Sequence, residues 1–132
     1  MIAAAADQDA GWGTSWYNGS YTATGATATA LGTGFANTNT IISSQGGATT
    51  SYAAGLARAY TGGGYNDWYL PSLDELNELY LNQDAIGGFV SQYYWSSSEV
   101  DAYSAWDQSF FTGYQYDSDK FDWDGVRAVR TF

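Results

Sequence analysis

Hydrophobic spacing divides the chain into a helical part and a later strand part. The clearest helix follows the single proline, Pro71. Leu73, Leu76, Leu79 and Tyr80 recur at spacings that put them on one helix face. Ser72 and Glu75 supply the Ser-x-x-Glu form of a capping box, and Asp74 and Glu75 suit the positive helix N-terminus. The helix should end near Asn82, with a short turn over 83–86 leading to Gly87-Gly88. Upstream, Tyr52, Leu56 and Tyr60 share one face and predict a helix over 50–60, ended by Gly62-Gly63-Gly64. A shorter helix is expected from Asn37 or Asn39 through Ser44, stopped by Gly46-Gly47.

From Tyr93 the period becomes two. Tyr93 to Ser98 predicts one strand and Ala105 to Phe111 a second. In the second, Trp106, Gln108 and Phe110 face the core and Asp107, Ser109 and Phe111 the other side. Thr112-Gly113 turns the chain into Tyr114-Gln115-Tyr116, with Gln115 facing the core, and Gly125 to Phe132 reads as a last strand. Residues 11–34 show no period. Trp12, Trp16, Tyr17 and Tyr21 sit there among Gly, Thr, Ala and Ser, which fits short strands or ordered loop. The run 22–30 fits a flexible loop or a strand with Thr on one face. The layout is α+β in a single domain of 132 residues: a segment 1–34, a helical part 35–92 and a sheet 93–132.

Composition narrows the chemistry. With no His and no Cys, a Ser-His-Asp triad, a thiol nucleophile, an imidazole or thiolate metal site and disulfides are all excluded. No cofactor is expected. Fourteen Asp and Glu against four Lys and Arg give a net charge of −10, which repels nucleic acid and anionic lipid at long range. No apolar run approaches the ~18 residues of a membrane span. The start, Met1 to Asp7, lacks the basic region of a signal peptide. Aromatics make up 18% of the chain, most of them Tyr and Trp, which combine an apolar face with a polar end. They must therefore either pack an unusual core or be displayed.

Four motifs in order resemble one family. They are Gly64-Tyr65-Asn66-Asp67-Trp68-Tyr69-Leu70-Pro71 with Glu75-Leu76; Tyr94-Trp95-Ser96-Ser97-Ser98-Glu99; Ala105-Trp106 with Phe110 and Gly113; and Val126-Arg127-Ala128-Val129-Arg130. The chain thereby resembles the Lcl C-terminal-like domain family, named from a bacterial collagen-like adhesin. Residues 37–60 also look like the family's preceding helices, whereas 1–34 match poorly. The resemblance implies a C-type-lectin-like fold and a place among adhesins, bacterial surface proteins and phage proteins. Some members are variable proteins of diversity-generating retroelements, whose C-terminal codons change through adenine mutagenesis. The related formylglycine-generating enzyme needs cysteines, so its activity is not carried over. Trp68, Trp95, Trp106, Leu70, Leu73, Leu76, Phe89 and Phe110 are expected in the core.

The informative stretch is 99–124. It carries seven acids against Lys120, or −6 of the −10, interleaved with Tyr, Phe and Trp. Rigid aromatics among small polar residues make up the vocabulary of binding loops. Residues 93–132 contain no Asn, whereas 1–92 contain six. Adenine mutagenesis of Asn codons can yield Asp, Ser, Tyr, Phe, Val, Ala, Gly or Thr. The expected ligand-binding residues are Asp101, Tyr103, Asp107, Ser109, Phe111, Tyr114, Tyr116, Asp117, Asp119, Phe121, Asp122 and Trp123. The expected function is non-enzymatic recognition of a protein or glycan on a cell surface, by a module exposed on a virion or cell. A glycan-binding adhesin of fixed specificity and a carboxylate-based hydrolase are the alternatives. Calcium at Glu99, Asp67 and Asn66 is a weaker reading, because the Glu-Pro-Asn motif of lectin sites is absent. Lys120, Arg127 and Arg130 are expected to pair with nearby carboxylates.

Overall fold

The computed structural model describes residues 1–46 and 49–131 and is α+β, as expected. The helices are α1 (Gly34–Gln45), α2 (Ala53–Ala59), α3 (Leu73–Leu81) and α4 (Gln83–Ile86). The strands are β1 (Ile2–Ala3), β2 (Tyr93–Glu99), β3 (Ser104–Ser109), β4 (Gln115–Asp119) and β5 (Val129–Arg130). Among the described residues no helix is long and apolar enough to cross a membrane.

The capping box at α3 forms as the sequence predicts. Ser72 Oγ accepts from Glu75 N, and Glu75 accepts from Ser72 N at 2.8 Å. Glu75 does more than cap its own helix. Its carboxylate also accepts from Gly32 N and Gly34 N, both at 3.1 Å, and so holds the start of α1. That explains why α1 begins before Asn37. The Asn37 side chain does not cap; it donates to Ala28 O at 2.7 Å and ties the 22–30 run to the helix. Gly46 ends α1 with φ +85°, a left-handed conformation that only Gly adopts freely. Gly47 of that expected stop lies outside the described residues. The expected 50–60 helix is shorter because Tyr52 is extended, and 83–86 is a helical turn rather than a plain one.

β2, β3 and β4 form an antiparallel sheet in that order, with Trp95 opposite Asp107 and Asp107 opposite Tyr116. Both faces of β2 and β3 are covered. On one side, Tyr94 and Phe110 pack with Leu76 and Leu79 of α3. On the other, Trp95 Nε1 donates to Thr14 O at 2.7 Å and Trp16 Nε1 to Ser96 O at 2.8 Å, which clamps the N-terminal coil to the sheet. The long strand expected over 125–132 is only partly formed. Gly125 bridges to Tyr94, residues 126–128 bond to the coil near Ala4 and Gln8, and β5 alone pairs regularly, antiparallel to β1. Phe132 lies outside the described residues.

The core is aromatic, with Trp16, Trp95, Tyr52 and Tyr94 fully buried. Trp68, Leu70, Leu73, Leu76 and Phe110 are buried as expected, whereas Phe89 and Trp106 are half-buried. Trp106 falls short because its cross-strand neighbour, Asp117, lies on the open edge strand β4. Trp16 belongs to a segment without any periodic signal.

The segment 17–33 contains no helix or strand, yet it is tied down. The buried Glu99 carboxylate accepts from Thr24 N and Gly25 N and pairs with Lys120 Nζ at 2.7 Å. Lys120 also donates to Thr22 O and lies 4.6 Å from the centre of the Trp16 ring. Burial alone would raise the Glu99 pKa, but the Lys120 bond and the two amides outweigh it and hold it below the usual carboxylate value. This stabilisation is therefore present above the unfolded glutamate pKa and is lost as pH falls through the lower folded value. Lys120→Met leaves Glu99 buried without its cation and should cost about 3–5 kcal/mol in urea unfolding. Adding Glu99→Gln should recover part of that loss. A single-variant cost under ~1 kcal/mol would contradict the role given to this pair.

Candidate ligand-binding face

β4 is the open edge of the sheet, and four of its five residues are exposed. Ten of the twelve sequence-predicted site residues are solvent-exposed: Asp101, Tyr103, Phe111, Tyr114, Tyr116, Asp117, Asp119, Phe121, Asp122 and Trp123. They lie on β4 and on the three loops flanking β3 and β4. Tyr103, Phe111, Tyr114, Phe121 and Trp123 each keep more than 60% of their surface in solvent, an unusual exposure for such large rings.

The other two are buried, which corrects the alternation argument. Ser109 accepts from Phe111 N and Thr112 N and builds the β3–β4 turn. Asp107 does face away from Gln108, but it is buried there beside the Asp124 carboxyl, and the Asp124 backbone pairs with Thr14. Gln115, expected to face the core, is exposed because nothing caps the β4 edge.

Several partners of this face were not legible in the sequence. Tyr17, Tyr21 and Tyr103 form a run of rings with centroids 4.9 and 5.5 Å apart. The Tyr21 hydroxyl donates to Asp119 at 2.7 Å, and that bond pushes the Tyr21 pKa up. Asp119 also accepts from Phe121 N, and together these bonds hold it below its ordinary value. A second run of rings, Tyr114, Tyr116 and Tyr93, follows the strands at 6.4 and 6.1 Å. The only available signal was the presence of aromatics between Trp12 and Tyr21, and nothing in that segment shows which strand they meet.

Between Tyr116 and Trp123 lies a groove of about 590 Å³. Tyr93, Tyr116 and Trp123 form its aromatic walls, and Asp107, Asp117, Asp119, Asp122 and Asp124 its acids. A hollow of about 210 Å³ adjoins it at Tyr93, Trp123 and Asp124 and extends it to Trp12. At the base, the Asp107 and Asp124 carboxyls lie within hydrogen-bonding reach of each other. Asp107 Oδ1 and Asp124 Oδ2 have no hydrogen-bond donor among the described residues. Desolvation, then the bond and charge of Asp107, push Asp124 up to about 9, and burial also raises Asp107. Asp124 therefore keeps its proton at neutral pH. A larger hollow of about 800 Å³, near Leu31, Tyr69 and Ile86, contains none of the expected site residues.

The cations are engaged elsewhere: Lys120 with Glu99, Arg127 with Asp7, Arg130 with Asp67. Arg58 donates to Trp68 O and Asn39 Oδ1. Glu99, one of the calcium candidates, is thus committed to Lys120 and backbone amides. No cluster of three or more acidic side chains suited to a metal occurs among the described residues.

The chain belongs to the Lcl C-terminal domain family, whose model matches residues 6–130. The match begins at residue 6, which corrects the expectation that the segment 1–34 resembles the family poorly. No curated protein matches the chain.

Two outcomes are expected. Phe111→Ala, Tyr114→Ala and Trp123→Ala should each change stability by less than about 0.5 kcal/mol in urea unfolding, because none fills the core. A larger loss would make that ring part of the scaffold. For Asp124 the folded pKa lies above the unfolded one, so its contribution is full below about pH 3.8 and is lost as pH rises toward about 9. Asp124→Asn should therefore flatten the fall in Tm between pH 5 and 9, and an unchanged slope would contradict the assignment.

Proposed function

We propose that the chain is a non-enzymatic ligand-recognition module that displays a diversified binding surface on the C-type-lectin-like scaffold implied by its family. The carrying observation is the separation of side chains along one stretch of sequence. In 99–124, Glu99, Ala105, Gln108, Phe110 and Lys120 are buried, while the ten site residues named above project into solvent. Replacing an exposed side chain leaves the buried framework intact, which is what a surface must allow if it is to vary. Exposed aromatics offer large contact area at low entropic cost, and the interspersed Asp supplies acceptors. The absence of Asn from 93–132 suits a retroelement-type origin.

The ligand on this reading is a protein or glycan on a cell surface, met by a module exposed on a virion or cell. Recognition is favoured over glycoside hydrolysis. Asp107 and Asp124 are hydrogen-bonded to each other, whereas paired carboxylates in glycoside hydrolysis stand roughly 5–9.5 Å apart. Deep sequencing of the coding locus across a population tests the reading. Variation should concentrate at the ten exposed positions, with Trp95, Glu99, Phe110 and Lys120 fixed. An invariant 99–124 segment would overturn the diversified version. Loss of cell-surface binding on combining Phe111→Ala with Tyr114→Ala should accompany it, and undiminished binding would overturn the choice of face.

A further inference from the structure

We propose that the groove between Tyr116 and Trp123 is a receptor for a cationic side chain of a protein partner, an arginine guanidinium or lysine ammonium seated over the Asp107–Asp124 pair. The inference rests on the binding-face reading and adds the ligand's chemical class. Its first support is an unmet acceptor. Asp107 and Asp124 are only 3% and 8% exposed, both line the groove, and each carries a buried carboxyl oxygen without a donor. Buried acceptors at the base of a groove need a donor from outside. The Asp124 proton serves the contact between the two carboxyls, and a partner's N–H groups would meet the oxygens that it leaves without a donor.

Its second support is charge accounting. Five Asp residues line the groove, with Asp107 and Asp124 buried at its base, and all four of the chain's cations are engaged elsewhere. No internal counter-charge reaches the site. The third is the wall chemistry. Tyr93, Tyr116 and Trp123 line the groove among the acids, and a cation over an aromatic ring gains further electrostatic attraction. An anionic or purely apolar ligand would leave the buried acceptors unmet.

The chemistry predicts proton release. Asp107 and Asp122 both bear on Asp124, and Asp117, Asp119, Tyr93 and Tyr116 line the same groove. A cation bound over the pair favours ionised Asp124, so affinity should rise with pH between 6 and 9 as less proton has to be displaced.

Nuclear magnetic resonance titration of the full chain tests this with three probes: acetyl-Gly-Arg-Gly-amide, its citrulline counterpart of nearly equal shape without charge, and calcium chloride. The arginine peptide should shift the Trp123 indole and the 116–124 amides, with the citrulline peptide about tenfold weaker, the scale of one charge-assisted bond. Its affinity should rise with pH in the natural chain and stay flat in Asp124→Asn. Asp122→Asn, at an exposed position, should also weaken binding and guards against a folding defect in the first variant. Equal binding of the two peptides, no localised shift, or calcium saturating the same signals and excluding the peptide would each overturn the proposal. If cell-surface binding depends on Phe111 and Tyr114 while any of those results holds, the face stands and the cation receptor falls.

Discussion

Buried carboxylates that serve as acceptors for irregular backbone hold this structure together. A chain with so much coil must still satisfy its buried N–H groups. Glu75 meets amides from both ends of the 32–72 interval, and Glu99 meets Thr24 and Gly25 across 75 and 74 residues. Asp9 accepts from Gly13 N and Val126 N. Asp7 takes Arg127 Nε at 2.8 Å and the Tyr94 hydroxyl at 2.6 Å. Each acid does what a strand partner does in a regular fold, with charge-assisted bonds. Lys120 and Arg127 offset two of the charges internally, so part of the −10 is architectural.

The same arrangement explains why a displayed edge is tolerated. β3 is central, and apart from its half-buried end at Ser104 and Trp106 it is enclosed. β4 hangs from it by backbone bonds and contributes little to the core. Lys120, at the end of β4, returns the chain to the interior, so the exposed strand is bounded by the enclosed β3 and a buried ion pair. Side chains on this edge therefore project from a rigid support.

Local signals were legible in the sequence where their cause is local. The capping box at Ser72, the helical spacing of α3, the strand starting at Tyr93 and the turn after Ser109 all depend on neighbours within a few positions. The burial of Asp107 was not legible. Its alternation gives the face, but its neighbour there, Asp124, is placed by tertiary pairing with Thr14. Trp16 and Tyr21 were obscure for the same reason, because their partners, Ser96 and Asp119, lie 80 and 98 residues away. The exposure of ten candidate residues follows from the residue mixture, whereas the acidic base of the groove and its lining at Tyr93 and Trp12 depend on tertiary placement.

The pairing of β1 with β5 sets Ile2 opposite Arg130 and Ala3 opposite Val129. The polypeptide thus enters and leaves at one doorway. A pull applied through both ends would part this two-rung ladder one rung at a time, like a zip. A pull between one end and a ligand held at the 114–123 face would instead run through the packed sheet and its buried ion pairs. By this geometry the described ends yield more readily when drawn apart than when one of them is pulled against the packed sheet.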